Sequence, residues 1–318
     1  MDLSVIMPIY NGRNLLEKNL DPLLKELSEI KQSELIIIDD YSSDGSFEYV
    51  KKNFRDKIIL LKNETNQGFS KTVNAGIKIS KGKYILLINS DIEIKDHFIL
   101  KLIDEFEKNT FACVPSIVLD EKENIEEGFS VFSLTPGFFS IDNPNIESFE
   151  YNINEIITIP HACAACALYS GEKLKQLNGF NERYSPFFWE DVDLSLRALQ
   201  NGWEIKYNPF LKVFHDKSKT INNFYNKNDS FIISLKNKII LNWYFLRTSE
   251  ERFLNYLYLK NIFEIALEEN DKELLISLNI VLDIYDEVRK ESEINLNIPL
   301  KDLEERYGYE RYKKYKKE

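Results

Sequence analysis

From Leu3 to Asp91 the chain repeats one pattern. A short apolar run stops on polar or acidic residues, and an amphipathic stretch carries it to the next run. The runs are LSVIMPIY (Leu3–Tyr10), ELIIIDD (Glu34–Asp40), KIILLKN (Lys57–Asn63) and YILLINSD (Tyr84–Asp91). They are short and rich in Ile, and turn residues such as Asn11-Gly12 and Ser42–Gly45 follow them, so they read as buried strands. Between them, Leu16, Leu20, Leu23, Leu24 and Leu27 fall at helical spacing in Leu15–Ile30. Ser46–Asn53 and Thr72–Ser80 read as further helices. Strands alternating with helices predict an α/β fold with a mostly parallel central sheet. Ligands in such sheets sit beyond the carboxyl ends of the strands. Pro8–Tyr10, Asp39-Asp40, Asn63–Asn66 and Asn89–Asp91 should therefore share one rim.

The pattern then loosens. Ser130–Asn145 reads as a variable surface loop, and Ile156–Tyr169 as a buried strand or strand pair. A helix after Glu190, with Val192, Leu196 and Leu199 on one face, ends at Gly202. Trp203–Pro209 and Leu211–Asp216 read as two strands. Helices are expected over Phe231–Leu246, Phe253–Leu267 and Leu274–Val288, all with broad apolar faces. This divides the chain into an α/β part, 1–223, and a helical extension, 224–318. The Lys and Arg of the basic tail GYERYKKYKKE read as a solvated end, with attraction to an anionic membrane surface as the alternative.

A net charge of -11 argues against a protein that tracks a nucleic-acid backbone. Three cysteines imply no disulfide framework and a reducing compartment. The N-terminus shows no secretory pattern, and no apolar run is long enough to span a bilayer. The expectation is a cytoplasmic protein, with peripheral contact at the inner face of the membrane left open.

Several constellations could carry chemistry. A helix cap accounts for Ser42, Ser43 or Asp44, but poorly for two carboxylates at a strand end. Asp39 and Asp40 are better read as contacts to a base or ribose. Asp91 is either a turn residue or a ligand for a hard cation on a diphosphate. His215, after a strand, is either structural or a metal ligand. Cys163 and Cys166 have CxxC spacing with His161 nearby, but their apolar flanks favour core packing over a zinc or redox site. Gly68 lies in a glycine-containing loop that matches no phosphate-binding fingerprint, and Lys71 beside it reads as solvated. In FFWEDVDL, Glu190 or Asp191 could cap the helix, and an ionised carboxylate there could also serve as general base. Phe187, Phe188 and Trp189 could wall a sugar-sized pocket, while a capping or surface role suffices for Asp193.

Taken in order, SVIMPIYNG, IIIDDYSSDGS, NQGFSKTVNAGI, YILLINSDIE, GFNERYSPFFWEDVDLSLRALQNGW and KVFHD resemble the inverting glycosyltransferases of family two, which have the GT-A fold. The similarity is to the non-processive, rhamnosyltransferase-like group, because Gln200-Asn201-Gly202-Trp203 lacks the Arg of the processive QxxRW motif. The resemblance implies that Asp39 and Asp40 hold the nucleotide, with Pro8, Tyr10, Asn66, Gly68, Ser90 and Trp189 lining the donor pocket. It implies that Asp91 and His215 contact a divalent ion, Mn2+ or Mg2+, although Asn89 replaces the first Asp of the DxD motif. Asp191 falls at the catalytic-base position, with Glu190 alongside. The implied donor is a nucleotide-diphosphate sugar. The implied acceptor is a glycan or lipid-linked glycan in cell-surface polysaccharide synthesis. A sugar nucleotidyltransferase and a non-catalytic nucleotide- or glycan-binding module are the rival readings. The C-terminal helices are candidates for pairing two copies of the chain.

Overall fold

The structure, a computed structural model, describes residues 2–94, 97–118, 125–144, 151–215, 227–285, 288 and 297–316. Asp216, the 223/224 divide and the end of the third expected C-terminal helix near Val288 lie at or outside these limits. The first half alternates as the sequence predicts: β1 (Leu3–Ile9), α1 (Arg13–Leu27), β2 (Ser33–Asp39), α2 (Ser46–Phe54), β3 (Ile59–Lys62), α3 (Phe69–Ile79) and β4 (Tyr84–Ile88). β1 pairs in parallel with β2 and β4, and β2 with β3. Helices cover such a sheet on both faces, which explains why Ile36, Ile37 and Ile38 in β2 and Ile85 and Leu86 in β4 are all fully buried.

The second half adds β5 (Ile92–Glu93), α4 (Phe98–Asp104), β6 (Thr110–Val118), β7 (Ile125–Glu127), β8 (Val131–Thr135) and β9 (Phe138–Asp142). It continues with β10 (Ile157–Thr158), β11 (Cys166–Ser170), α5 (Gly171–Gln176), α6 (Glu190–Gln200) and β12 (Glu204–His215). The main path of the sheet runs β10-β12-β6-β11-β4-β1-β2-β3. β11 is inserted antiparallel between β4 and β6, while β12 and β6 are parallel, so the sheet is mixed. The two strands expected around Pro209 are one. Pro209 cannot donate to a ladder, so the register of β12 against β6 shifts between Asn208 and Lys212 and pairing then resumes.

One further expectation is overturned here. Ser130–Asn145 is not a loop but holds a buried hairpin, β8 with β9, closed by Pro136-Gly137. Pro136 presets its own φ, and Gly137 takes the positive φ of 79° that the turn requires. Phe132 and Phe139 of the hairpin are fully buried. In the tail, Arg311, Lys313, Lys314 and Lys316 are exposed, as expected of its charged residues, and Lys314 bonds to Glu155. Tyr312 is buried instead: it is 1% exposed, and its ring packs edge-on to Phe129 at 5.2 Å.

The C-terminal helices are α7 (Lys227–Phe245), α8 (Ser249–Glu268), α9 (Lys272–Asp283), α10 (Leu300–Tyr307) and α11 (Tyr309–Tyr312). Thr248 and Glu251 form a capping box that opens α8. Ile240 and Phe245 of α7 and Leu303 of α10 join the same buried cluster as the sheet. α8 and α9 keep Phe253, Tyr256 and Leu282 exposed. Among the described residues, no helix is long and apolar enough to cross a membrane.

Candidate active site

The ends of β1 and β2 build one side of the rim. Asp39 is fully buried, with the Ser42 N–H 3.3 Å from each carboxylate oxygen and Lys62 Nζ at 3.9 Å. Burial raises its pKa, against the opposing pull of Ser42 and Lys62. Asp40 is committed differently. It accepts from Asn63 Nδ2 at 2.8 Å, Gln67 N at 2.7 Å and Gly68 N at 3.0 Å, and so folds the 63–68 loop. Asn66 is exposed, and its Oδ1 accepts from Gly68 N at 3.1 Å. Pro8 and Tyr10 stand half-buried at the end of β1. Asp44 is not the N-cap of α2, which is Gly45, but its carboxylate still serves helix starts. Its carboxylate accepts from Arg13 N at 2.9 Å and from Ser46 N at 3.0 Å, joining the starts of α1 and α2.

Gly68 has a packing reason for lacking a side chain. Its φ is +80°, and a Cβ would lie 2.9 Å from both Cα and O of Pro186. The next residue, Phe69, donates its N–H to Pro186 O at 2.8 Å. The start of α3 is therefore seated on the loop that leads into FFWED.

Asn89–Asp91 leaves the end of β4. β5 pairs antiparallel with β12 and sets His215 opposite Ile92. That register brings His215 Nε2 to 3.3 Å from Asp91 Oδ2. Asp91 is 8% exposed, and its other oxygen, Oδ1, is buried without a hydrogen-bond partner. An orphaned carboxylate oxygen beside an imidazole fits a hard cation, which would satisfy both. Among the described residues no three His, Cys, Asp or Glu side chains converge as a complete metal cage. The remaining coordination positions would fall to diphosphate oxygens and water. Ser90 contributes its carbonyl to Asn19 Nδ2 at 2.8 Å.

Asn89 links this corner to the next. Its N–H donates to Ala165 O at 2.9 Å, and the neighbouring Ala164 donates its N–H to Asp191 Oδ2 at 3.1 Å. Asp191 Oδ1 accepts from Val192 N at 2.8 Å. His161 Nε2 lies 3.0 Å from Asp191 Oδ2, a charge contact without hydrogen-bond alignment. Burial pushes the Asp191 pKa up, but His161 and the two backbone N–H groups outweigh it, and the net direction is down. The His161 pKa goes the other way: Asp191 and Glu127 raise it against the pull of burial. Glu190 is 6% exposed and is driven well above the ordinary carboxylate range by burial and by the charge of Asp191. Two adjacent carboxylates are thus pushed in opposite directions by their surroundings.

α6 does not start on an acidic cap. Its N-cap residue is Trp189, without a side-chain cap bond. Phe188 and Trp189 both have left-handed backbones, with φ of 77° and 73°. Each such residue costs about 1–3 kcal/mol, so the surrounding structure holds this turn in place. Trp189 Nε1 donates to Ser234 Oγ at 3.0 Å, and the Lys238 ammonium lies 5.2 Å from its ring. Asp193 departs from the surface role expected of it. It is fully buried and accepts from Arg197 Nε at 2.7 Å.

The structure joins Asp91 with His215, joins Asp191 to the β4 end, and ties Asp40 and Gly68 to the 185–186 turn. His161 is the functional contact that the sequence reading passed over. Its signal was present as an imidazole inside an otherwise small and apolar run, in a chain with three histidines. Cys163 and Cys166 are buried, and the Cys163 thiol, raised by burial, donates to Glu127 Oε2 at 2.6 Å.

Comparison with known proteins follows the same contours. The family described as Glycosyl transferase family 2 matches residues 4–177. The poly(ribitol-phosphate) beta-glucosyltransferase of Bacillus spizizenii is 31% identical over 104 residues, 32% of this chain and 16% of that protein. The dolichyl-phosphate beta-glucosyltransferase of Dictyostelium discoideum is 36% identical over 125 residues, 35% of this chain and 38% of that protein. The match therefore spans well under half of either relative. Among solved structures, GalNAc-T7 with UDP, GalNAc and Mn2+ superposes with a TM-score of 0.65 at 16% identity, covering 99% of this chain and 58% of that one. Staphylococcus aureus TarS 1-349 with UDP-GlcNAc gives 0.57 at 17% identity, covering 93% of this chain and 90% of that one. The fold is that of the GT-A glycosyltransferases.

Proposed function

This chain belongs to glycosyl transferase family 2, and we propose that it moves one sugar from a nucleotide-diphosphate sugar to an acceptor hydroxyl with inversion. The observation that carries this reading is geometric: Ala164 N holds Asp191 beside the β4 end, where Asp91 and His215 meet. Asp39, with Pro8 and Tyr10 beside it, receives the nucleotide. Asp91 and His215 would hold a divalent ion, Mn2+ or Mg2+, which when bound neutralises the leaving diphosphate. Asp191 removes the acceptor hydroxyl's proton while that oxygen bonds to the anomeric carbon, on the face opposite the departing nucleotide. The bond to the diphosphate breaks as the new one forms, so one carboxylate suffices and the configuration inverts. The relatives named for poly(ribitol-phosphate) and dolichyl-phosphate support a polymeric or lipid-borne acceptor, and a glycan or lipid-linked glycan is the acceptor we propose.

The test is a panel of nucleotide sugars with Mn2+, reading release of the nucleoside diphosphate. Asp191→Asn should lower kcat by about 10²–10⁴-fold and leave the affinity for UDP or GDP with Mn2+ unchanged. A chelator should weaken that affinity. Wild-type turnover in Asp191→Asn would sink the base assignment, and nucleotide binding indifferent to chelator would sink the metal site.

A further inference from the structure

α7 lies outside the residues matched by the family, yet it reaches the turn that carries the base. Asn237, in the middle of α7, is fully buried. Its Nδ2 donates to the carbonyls of Tyr184 at 2.7 Å, Phe187 at 2.9 Å and Phe188 at 3.0 Å. Two N–H groups thus serve three acceptors, while the buried Oδ1 accepts nothing. A buried amide oxygen is rarely left without a donor. The side chain is oriented for its donors alone. What those donors hold is the pair of left-handed residues, Phe188 and Trp189, that comes directly before Glu190 and Asp191. Ser234, one turn earlier on α7, takes the indole N–H of Trp189. The Trp189 carbonyl accepts from Asp193 N at 3.0 Å and so begins α6.

We propose that Asn237 is the positioning residue for Asp191, assisted by Ser234, so that α7 is a working part of the active site. This rests on the reading of Asp191 as the base. The alternative is that Asn237 only fastens α7 to the body of the protein. Asn242 separates the two, because it is a fully buried Asn on the same helix with a different client. It accepts from Phe139 N at 2.8 Å and donates to Phe139 O at 3.1 Å, away from the turn.

The experiment compares the full chain with Asn237→Asp, Asn237→Ala, Ser234→Ala and Asn242→Ala. It reads backbone hydrogen exchange over 184–191 together with kcat and KM for transfer. Both Asn237 variants should speed exchange in that segment by about tenfold or more. They should lower kcat by about 100-fold with the donor KM nearly unchanged, since misplacing a base costs rate rather than donor binding. Ser234→Ala should move both readouts the same way by less, and Asn242→Ala should move neither. Unchanged exchange in a folded Asn237 variant overturns the proposal, as does an equal effect from Asn242→Ala. Should the Asn237 variants not fold, Ser234→Ala decides, and unaltered exchange around Trp189 overturns it. If the wild type transfers no sugar from any donor, the glycosyltransferase reading fails while exchange still tests the coupling of α7 to the turn.

Discussion

At the scale of residues, the site is organised by how each carboxylate is surrounded. His161 and two N–H groups hold Asp191 low against burial, whereas burial and the charges of Asp191 and Asp193 hold Glu190 high against its own backbone N–H. The signs are opposite for the two partners of the His161–Asp191 contact. The stabilisation of Asp191 is present above the pKa it has in the unfolded chain and is lost as pH falls through its lowered folded value. That of His161 is present below its unfolded pKa and is lost as pH rises through its raised folded value. The acid limb of kcat/KM should therefore lie below the ordinary aspartate range, and His161→Ala should move it upward. An acid limb that stays put in His161→Ala would show that His161 does not set the base. Asp91 stood out in the sequence as a candidate at a strand end, while Asp191 and His215 took their roles from motifs that resemble the family. His161 did not, because it is a single polar residue in an apolar run. Asn237 did not, because it sits between two lysines on a helix and its partners lie about 50 residues away.

At the scale of elements, β1, β2 and β4 were legible because a doubly covered sheet demands unbroken apolar runs, whereas β3 is an edge strand with Ile59 and Lys62 exposed. The β8–β9 hairpin was not, because Thr-Pro-Gly and Asn-Pro look like loop chemistry. There the Pro-Gly pair is the turn, and the alternation on either side is the strand. Strand ends and helix starts meet at Gly68, where α3 rests on Pro186. Gly68→Ala adds a methyl against backbone at a positive φ. It should cost about 1–3 kcal/mol in denaturant unfolding and also lower kcat, since the turn under pressure leads to Asp191. A variant as stable and active as wild type would show that this contact yields without consequence.

At the scale of the whole molecule, the motifs end at His215 but the core does not. Phe139 of the hairpin meets Phe245 of α7 edge-on at 6.2 Å, and Tyr312 OH donates to Thr158 O at 2.8 Å. A chain cut after residue 223 would leave Phe129, Phe132 and Phe139 facing water. It should lack a cooperative thermal transition, read by near-ultraviolet circular dichroism. A sharp native-like transition would mean that the α/β part folds alone. The Tyr312 bond also has a bearing on time. Its partners stand 154 positions apart in the sequence, and contacts of such separation close late and slowly. During synthesis the hairpin's aromatic faces stay uncovered until the C-terminal helices have been made. Aggregation of nascent chains should therefore respond to substitutions in those helices as much as to substitutions in the α/β part.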